Sequence, residues 1–367
     1  MNRETCNYSW LALSFVDGLG SVGYRNLIRR FDNPDRVLKA SSEELITVEG
    51  IRGKVIKGIK EFKQAARVEQ ELELMHKHKV NLVSCMDDVY PAQLLNIYDP
   101  PPFLYVKGEL RRREPCPVAV VGSRFASTYG MMVTERICRD MAREGVTVVS
   151  GMARGVDTAA HRGALSARGR TIAVLGCGID VDYPPENRKL KDEIASSGAV
   201  VSELPMSTAP AGCHFPKRNR IISGLSLGVV VVEASHRSGS LITARLALEQ
   251  GRDVFAVPGS IDSMRSRGTH KLIKEGAKLV EDARDIISEL VPNAPYRSQE
   301  DCGHGTAGNL LSKESGAVLA LLAHQQAHID RIIAESGLNS SQVSTALLDL
   351  ELKGLIRQLP GKMFMRK

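Results

Sequence analysis

Seven short apolar segments recur between residues 118 and 281, and each is separated from the next by a longer stretch. The segments are VAVVG, VTVVSG, TIAVLG, AVVSE, GVVVVEA, DVFAVPG and AKLVE. Several of the stretches between them, such as MMVTERICRDMAREG, carry apolar residues at helical spacing. Strands that are apolar on both faces are typical of a parallel sheet covered by helices. The pattern predicts an α/β domain over residues 118–290, with a Rossmann-like, doubly wound, mostly parallel sheet.

Residues 1–80 are helical by pattern and contain two similar motifs. In GLGSVGYRNLIRRF and VEGIRGKVIKGIKEF, a glycine turn precedes an apolar and basic helix. Such a turn resembles a helix-hairpin-helix, in which backbone N–H groups hold a DNA phosphate. A plain helical bundle with glycine at the helix ends fits the same pattern. The sequence predicts an N-terminal helical domain of helix-hairpin-helix or SAM-like type, and both interpretations stay open.

Proline and polar residues mark the other boundaries. Residues 81–117 contain the run Pro100-Pro101-Pro102, which breaks helices, and we interpret them as a connecting segment. Residues 291–308 are polar and glycine-rich, which is typical of a linker. Residues 309–367 predict three helices followed by a hairpin, and that order indicates a C-terminal winged-helix domain.

The composition indicates a folded protein, and its net charge has the sign expected of a protein that contacts phosphate polymers. Hydrophobic residues make up 43% of the chain and charged residues 25%, as in globular proteins. The net charge is +7, and residues 211–275 hold ten Lys and Arg against five Asp and Glu. Seven cysteines without a C-x-x-C pair indicate neither a disulfide framework nor a zinc site and favour the cytoplasm. No signal peptide or membrane span is recognised.

The turns that follow the predicted strands hold the candidate binding residues, because ligands bind at the carboxyl ends of the strands in open parallel sheets. Glycine permits close backbone approach to a ligand, and the N–H groups of helix N-termini favour anions. The four turns are Gly122-Ser123-Arg124, Ser150-Gly151-Met152-Ala153-Arg154-Gly155, Gly176-Cys177-Gly178 and Ser238-Gly239-Ser240. Together they predict a row of anion sites.

A basic cluster follows an aromatic residue in the segment FPKRNR. Lys217, Arg218 and Arg220 surround Asn219 directly after Phe215. Cations at the start of a helix oppose the helix dipole, so a bound anion is the expected reason for them. Phe215 is then expected to stack on a nucleic-acid base. The alternative is a solvated basic face beside a core phenylalanine.

Cofactor and catalytic signatures are lacking. Val181 occupies the third glycine position of the one G-x-G-x-x-G candidate, and no acidic residue ends the second strand, which disfavours a dinucleotide site. Asp157 and His161 lie four residues apart without a recognisable nucleophile, so a structural hydrogen bond is favoured over catalysis. We predict no catalytic residue, no cofactor and no metal.

Many separate segments, in order, resemble the DNA-processing protein A family, also called DprA or Smf. They are GSRFASTYG, SGMARGVDTAAHRGAL, VLGCGIDVDYPPEN, SELP, FPKRNRIISGLS, VVVEASHRSGSLITARLALEQGRDVFAVPG and GTHKLIKEGAKLV. The resemblance covers residues 118–280 and extends to the flanking domains. By motif, the family's DNA-binding arginine falls on Arg124, its basic loop on Lys217 to Asn219, and its base-stacking aromatic on Phe215.

The resemblance implies a non-enzymatic protein that binds and protects incoming single-stranded DNA. It also implies that the protein loads the RecA recombinase onto this DNA in natural transformation, displacing or accommodating single-strand-binding protein. A homodimer is implied as well. These properties are expectations carried by the family.

Two other functions compete with this one. Lonely-guy-like nucleoside monophosphate phosphoribohydrolases share a related fold, but their P-G-G-x-G-T-x-x-E pattern meets SHRSGSLITA here, which lacks the glutamate. A winged-helix DNA-binding regulator would use the helix NSSQVSTALLDLELKG, in which Lys353 is the only cation against Asp349 and Glu351. A protein-contact or weak DNA-binding role is therefore favoured for the winged-helix domain.

Overall fold

The computed structural model describes residues 3–291, 313–322, 326–352, 354–359 and 361–366. The chain forms two compact units, Met1–Tyr296 and Arg297–Lys367. The linker predicted over 291–308 lies outside the described residues, apart from Val291.

The first unit begins with six helices, as the pattern predicts. They are α1 (Arg3–Ser14), α2 (Ser21–Phe31), α3 (Pro34–Lys39), α4 (Ser42–Ile46), α5 (Gly53–Lys60) and α6 (Ala65–His78). Gly18 and Gly50, in the turns before α2 and α5, have positive φ values of 83° and 81°, which glycine adopts without a steric cost. Both helices bury their apolar faces in the helical core. A contact between these turns and a DNA phosphate stays a prediction.

A nine-stranded sheet follows. Its strands are β1 (Asn81–Ser84), β2 (Phe103–Gly108), β3 (Val118–Gly122), β4 (Val148–Ser150), β5 (Thr171–Leu175), β6 (Ala199–Ser202), β7 (Gly228–Val232), β8 (Asp253–Ala256) and β9 (Lys278–Leu279). Their order is β1-β2-β6-β5-β4-β3-β7-β8-β9. The pairs from β6 through β9 are parallel, whereas β1 and β2 are antiparallel additions. The seven predicted strands and the doubly wound fold are confirmed.

Helices cover both faces of this sheet. They are α7 (Ala92–Leu95), α8 (Thr128–Arg143), α9 (Val156–Ser166), α10 (Arg188–Ser197), α11 (His214–Gly224), α12 (Gly239–Glu249), α13 (Arg267–Lys274) and α14 (Ala283–Leu290). Apolar side chains of α8, α9 and α14 form the core on one face. Those of α11, α12 and α13 pack on the other face. The chain winds outward from β3 to β6 and returns to β7 beside β3, so the topological switch point lies between β3 and β7.

The segment 81–117, interpreted from sequence as a connection, contributes β1 and β2 to the sheet. Strand β2 pairs with β6 from Tyr105↔Ser202 to Gly108↔Ala199. The N-terminal helices pack against this strand, because the stacked rings of Trp10 and Tyr24 both meet Phe103 edge-on at about 6.3–6.4 Å between centroids. The proline run lies before β2 and ends where the strand begins. The helical part and the sheet therefore share one core.

The second unit has the predicted winged-helix order. It comprises α15 (Lys313–Leu321), β10 (Ala327–His328), α16 (Ile329–Ser336), α17 (Ser340–Leu352), β11 (Ile356–Leu359) and β12 (Met363–Arg366). The predicted hairpin is formed by β11 and β12, and β10 joins β12 as a third antiparallel strand. Val318, Ile332, Val343, Leu350 and Phe364 are buried in its separate core.

Candidate nucleic-acid interface

The glycine turns predicted from sequence meet at one edge of the sheet. The strands β5, β4, β3 and β7 are consecutive neighbours and parallel, so their carboxyl ends lie side by side. The first two turns contact each other directly: the Val156 N–H donates to the Ser123 carbonyl at 3.1 Å. Gly155 has a φ of +74°, and a Cβ added there would stand 2.2 Å from the same carbonyl oxygen. The second turn therefore requires glycine at this position.

Three other glycines are required by neighbouring protein atoms. A Cβ at Gly122 would stand 1.9 Å from the Val232 carbonyl oxygen, and one at Gly151 would stand 2.3 Å from the Arg218 guanidinium. A Cβ at Gly176 would lie 2.9 Å from the Phe215 ring. The sequence pattern suggested close approach by a ligand as the reason for these glycines, and the structure corrects that reason. Close packing within the protein explains them.

Arg124 and Phe215 lie together at this edge. The guanidinium carbon of Arg124 is 4.9 Å from the centre of the Phe215 ring, which is cation–π distance. Arg124 is exposed, and no ion pair joins it to any residue that the structure describes. Phe215 is half-buried in the first turn of α11 and packs on Gly176. The structure thus places an exposed cation beside a partly exposed aromatic ring.

Tyr183 also belongs to this cluster, although the sequence pattern did not single it out. Its ring centre is 5.8 Å from that of Phe215, and its side chain is half-buried. The segment DYPPEN follows the Gly176 turn in sequence, which is the signal that could have identified it. The aromatic surface beside Arg124 is therefore larger than one ring.

Arg218 and Asn219 face the interior, contrary to the prediction that the whole basic cluster meets a ligand. Arg218 is only 6% exposed. Its Nη1 donates to the carbonyl of Gly151 at 2.5 Å and to that of Val174. Its Nε donates to Asn219 Oδ1 at 3.2 Å. These bonds join α11 to the ends of β4 and β5, so Arg218 positions the helix that carries Phe215.

Arg220 is also engaged by the protein, whereas Lys217 is not. Arg220 donates to the Glu203 carboxylate, and its Nε lies 3.5 Å from Asp99 Oδ2. Lys217 is exposed, and within the described part of the chain it forms no ion pair. Local structure therefore accounts for two of the three cations, and Lys217 is the one left at the surface.

The remaining predicted residues have mixed surroundings. Exposed Arg154 pairs with the Glu186 carboxylate through Nε and Nη2, and exposed pairs of this kind are weak. Gly239 is exposed, with nothing near its Cβ direction, at the N-terminus of α12. Ser240 is buried, and its hydroxyl lies 2.7 Å from that of Ser238. Gly239 is thus accessible to a ligand, whereas the buried Ser240 donates its backbone N–H to the Ser238 hydroxyl at 3.4 Å.

Asp157 and His161 serve the protein interior. The Asp157 carboxylate accepts the Ala153 N–H at 3.2 Å; burial raises its pKa, opposed by the charge of Arg218. Thr171 Oγ1 donates to the Val148 carbonyl, so His161 Nδ1 donates to Thr171 Oγ1 at 2.7 Å. Burial lowers the pKa of His161 to about 3, so the ring is neutral at physiological pH.

The parts of the chain that the structure describes contain neither a candidate metal site nor a candidate membrane span. No group of three or more His, Cys, Asp or Glu side chains is arranged there to hold a metal ion. Within the same residues, every helix is too short or too polar to span a bilayer.

Comparison with known sequences decides the family. Residues 81–291 match the family described as DNA recombination-mediator protein A, and residues 306–362 match the DprA winged-helix domain. The chain belongs to the DNA-processing protein A family. Protein Smf of Synechocystis is 35% identical over 98% of both chains. DprA of Streptococcus pneumoniae is 50% identical over 56% of this chain and 73% of its own.

Two solved structures of DNA-processing protein A extend the similarity to the fold. The X-ray structure from Streptococcus pneumoniae has a TM-score of 0.69 at 41% identity and covers 77% of this chain and 97% of its own. A structure from Helicobacter pylori, described for its single-stranded DNA binding mode, has a TM-score of 0.52 at 30% identity. It covers 59% of this chain and 98% of its own. Membership of this family identifies the chain as a DNA-processing protein of the recombination-mediator type.

Proposed function

We propose that this protein binds single-stranded DNA along the carboxyl edge of its sheet. Arg124 and Lys217 bind phosphates, and Phe215 stacks on a base, with Tyr183 beside it. The observation that carries this proposal is the adjacency of an exposed cation and an aromatic ring at 4.9 Å. Single strands are held without sequence preference by positively charged grooves with stacking aromatics. The binding mode described for the Helicobacter pylori relative supports the same ligand.

Single-stranded DNA fits this edge better than a mononucleotide does. The open Gly239 lies at the N-terminus of α12, beyond β7, whereas Phe215 lies against the turn after β5. The site therefore spans the ends of β5, β4, β3 and β7, and adjacent strands are about 4.8 Å apart. One small phosphate ligand does not reach both ends, and a polymer with repeated phosphates does.

The second part of the proposal is biological. The protein protects incoming single-stranded DNA and loads the RecA recombinase onto it in natural transformation, displacing or accommodating single-strand-binding protein. It acts in the cytoplasm as a homodimer and without catalytic chemistry. The family's description as a recombination mediator supports this role. The winged-helix domain contributes protein contacts or weak DNA binding.

A loading assay tests this role. Single-stranded DNA is coated with single-strand-binding protein, and the DNA-dependent ATPase activity of RecA is followed with and without this protein. The proposal predicts that the wild type shortens the lag before ATP hydrolysis relative to RecA alone. Arg124→Ala should give a longer lag than the wild type. Arg113→Ala is the matched control, since Arg113 is also exposed but lies before β3 at the opposite edge of the sheet. An unchanged lag with wild-type protein that binds DNA would contradict the loading role.

A further inference from the structure

A second exposed surface continues from Arg124 along the same edge of the sheet. Phe125 is the next residue, and its side chain is 79% exposed. Its backbone N–H donates to Ser123 Oγ at 3.1 Å within the same turn. A large aromatic group this exposed does not serve the core.

The loop after β8 combines apolar and basic side chains in the same way. Ile261 is 83% exposed and Met264 59% exposed. Arg265 and Arg267 are exposed, and neither forms an ion pair with any residue in the described ranges. Asp262 is the one acidic residue in segment 257–267. The loop therefore presents apolar surface with a net positive charge.

This loop is tied to its neighbours at the carboxyl edge. The Tyr129 hydroxyl on α8 donates to the Pro258 carbonyl at 3.1 Å. The Gly268 N–H donates to the Ala234 carbonyl, directly after β7, at 2.7 Å. A Cβ at Gly268 would stand 2.6 Å from that oxygen, so the approach requires glycine. The loop after β8 is thus held beside the turns that follow β3 and β7.

The loop after β7 lies between these two surfaces and adds a cation. Arg237 is exposed and, among the residues described, has no ion-pair partner. Strands β3, β7 and β8 are consecutive in the sheet, and adjacent strands are about 4.8 Å apart. Exposed arginines therefore occur in or directly after the loops that follow three neighbouring strands.

We propose that a bound single strand continues from Arg124 across the ends of β7 and β8. The surface it meets, the β8 platform, consists of Phe125, Arg237, Ile261, Met264, Arg265 and Arg267. This inference rests on the proposed function, because the strand must first occupy the Arg124 site. The occupant is further nucleotides of the same strand: unpaired bases cover the apolar side chains, and the arginines neutralise phosphates. A duplex hides its base faces and leaves the apolar part uncovered.

Binding as a function of strand length tests the β8 platform. Fluorescence anisotropy with oligothymidylates of about 4 to about 16 nucleotides spans the site sizes of single-strand-binding folds. The wild type is expected to gain affinity with length beyond the oligonucleotide that fills the Arg124 site. Arg265→Ala with Arg267→Ala should reduce this gain. For the longest strand, the same variant should make the slope of log K against log salt concentration shallower by about 1.4, at about 0.7 for each phosphate that is no longer neutralised. Phe125→Ala should reduce the gain without changing the slope.

The matched control is Arg113→Ala with Arg162→Ala, which also removes two exposed arginines from the described surface. It should keep the wild-type length dependence. If the Arg265 and Arg267 variant also keeps it, while short strands bind the wild type, the β8 platform is refuted and the proposed function stands. If the wild type binds no oligothymidylate, both fall together. Thermal melts of all variants should coincide, because these side chains are exposed.

Discussion

Arg124, at the end of β3, holds its guanidinium carbon 4.9 Å from the centre of the Phe215 ring in α11. A cation–π contact at an exposed site contributes about 0.5–1 kcal/mol, whereas a base stacked on an aromatic ring contributes about 1–3 kcal/mol. A base can therefore displace the guanidinium from the ring with a net gain. Arg124 is then free to follow the phosphate of that nucleotide.

The Phe215 ring is predicted to act by stacking. Phe215→Leu keeps apolar contact with Gly176 but removes the ring face, so affinity for single-stranded DNA should fall by roughly 1–3 kcal/mol. The free energy of unfolding should change by less than about 1.5 kcal/mol. Anisotropy titrations and urea unfolding measure the two quantities. A loss of stability with unchanged affinity for single-stranded DNA would assign Phe215 to the core alone.

Lys217 and Arg218 are adjacent in sequence and are predicted to behave oppositely. Arg218→Met removes a buried guanidinium near the buried Asp157 carboxylate, and such a loss costs about 3–5 kcal/mol of stability. Lys217→Ala removes an exposed side chain and should change stability by less than about 0.5 kcal/mol. Urea unfolding of both variants gives the comparison. Similar stabilities would show that Arg218 is not a structural residue.

The lowered pKa of the buried His161 ring predicts that the protein loses stability in acid. Its pKa is lowered from 6.5 to about 3 in the folded protein, so the unfolded chain binds the proton more strongly. Titration of His161 leaves the free energy of unfolding at its full value above pH 6.5. Below that pH, the free energy of unfolding declines by about 1.4 kcal/mol per pH unit as the pH falls toward 3. His161→Gln does not titrate and should lose less stability than the wild type between about pH 7.5 and about pH 5. Identical pH profiles would refute this role.

Truncations test the unexpected strands β1 and β2. A fragment of residues 1–291 keeps the nine strands and the core shared with the N-terminal helices, and it should bind single-stranded DNA like the full chain. Residues 118–290 alone expose the edge of β6, whose residues are all buried, and unpaired edges promote aggregation. Size-exclusion chromatography separates the outcomes. A monodisperse short fragment with full affinity would show that β1 and β2 are dispensable.

The parallel sheet could be predicted from sequence because its strands are buried on both faces, which leaves continuous apolar runs such as VAVVG. The local sequence does not predict strand β2 although FLYV is apolar, because the proline run before it indicates a connection. Its partner β6 lies far away in sequence, and no local pattern reports that pairing. Local periodicity thus predicts the helices and the parallel strands. It does not predict that β1 and β2 extend the sheet beyond β6.

The candidate site was predictable in its position but not in its detail. The sequence places Arg124 and the glycine turns at strand ends, and Phe215 at the start of a helix. It cannot show that Arg218 turns inward, since burial depends on carbonyls from Gly151 and Val174 on two other segments. The proximity of Tyr183 to Phe215 likewise depends on the meeting of the β5 turn with α11.

The salt dependence of single-stranded DNA binding tests the central claim most directly. Arg124→Ala and Lys217→Ala should each weaken binding by a similar factor for every DNA sequence. Each should also make the slope of log K against log salt concentration shallower by about 0.7. Arg113→Ala should leave affinity and slope unchanged, since Arg113 lies at the opposite edge. If Arg124→Ala and Lys217→Ala both retain wild-type affinity and slope, the carboxyl edge of the sheet is not the DNA-binding site.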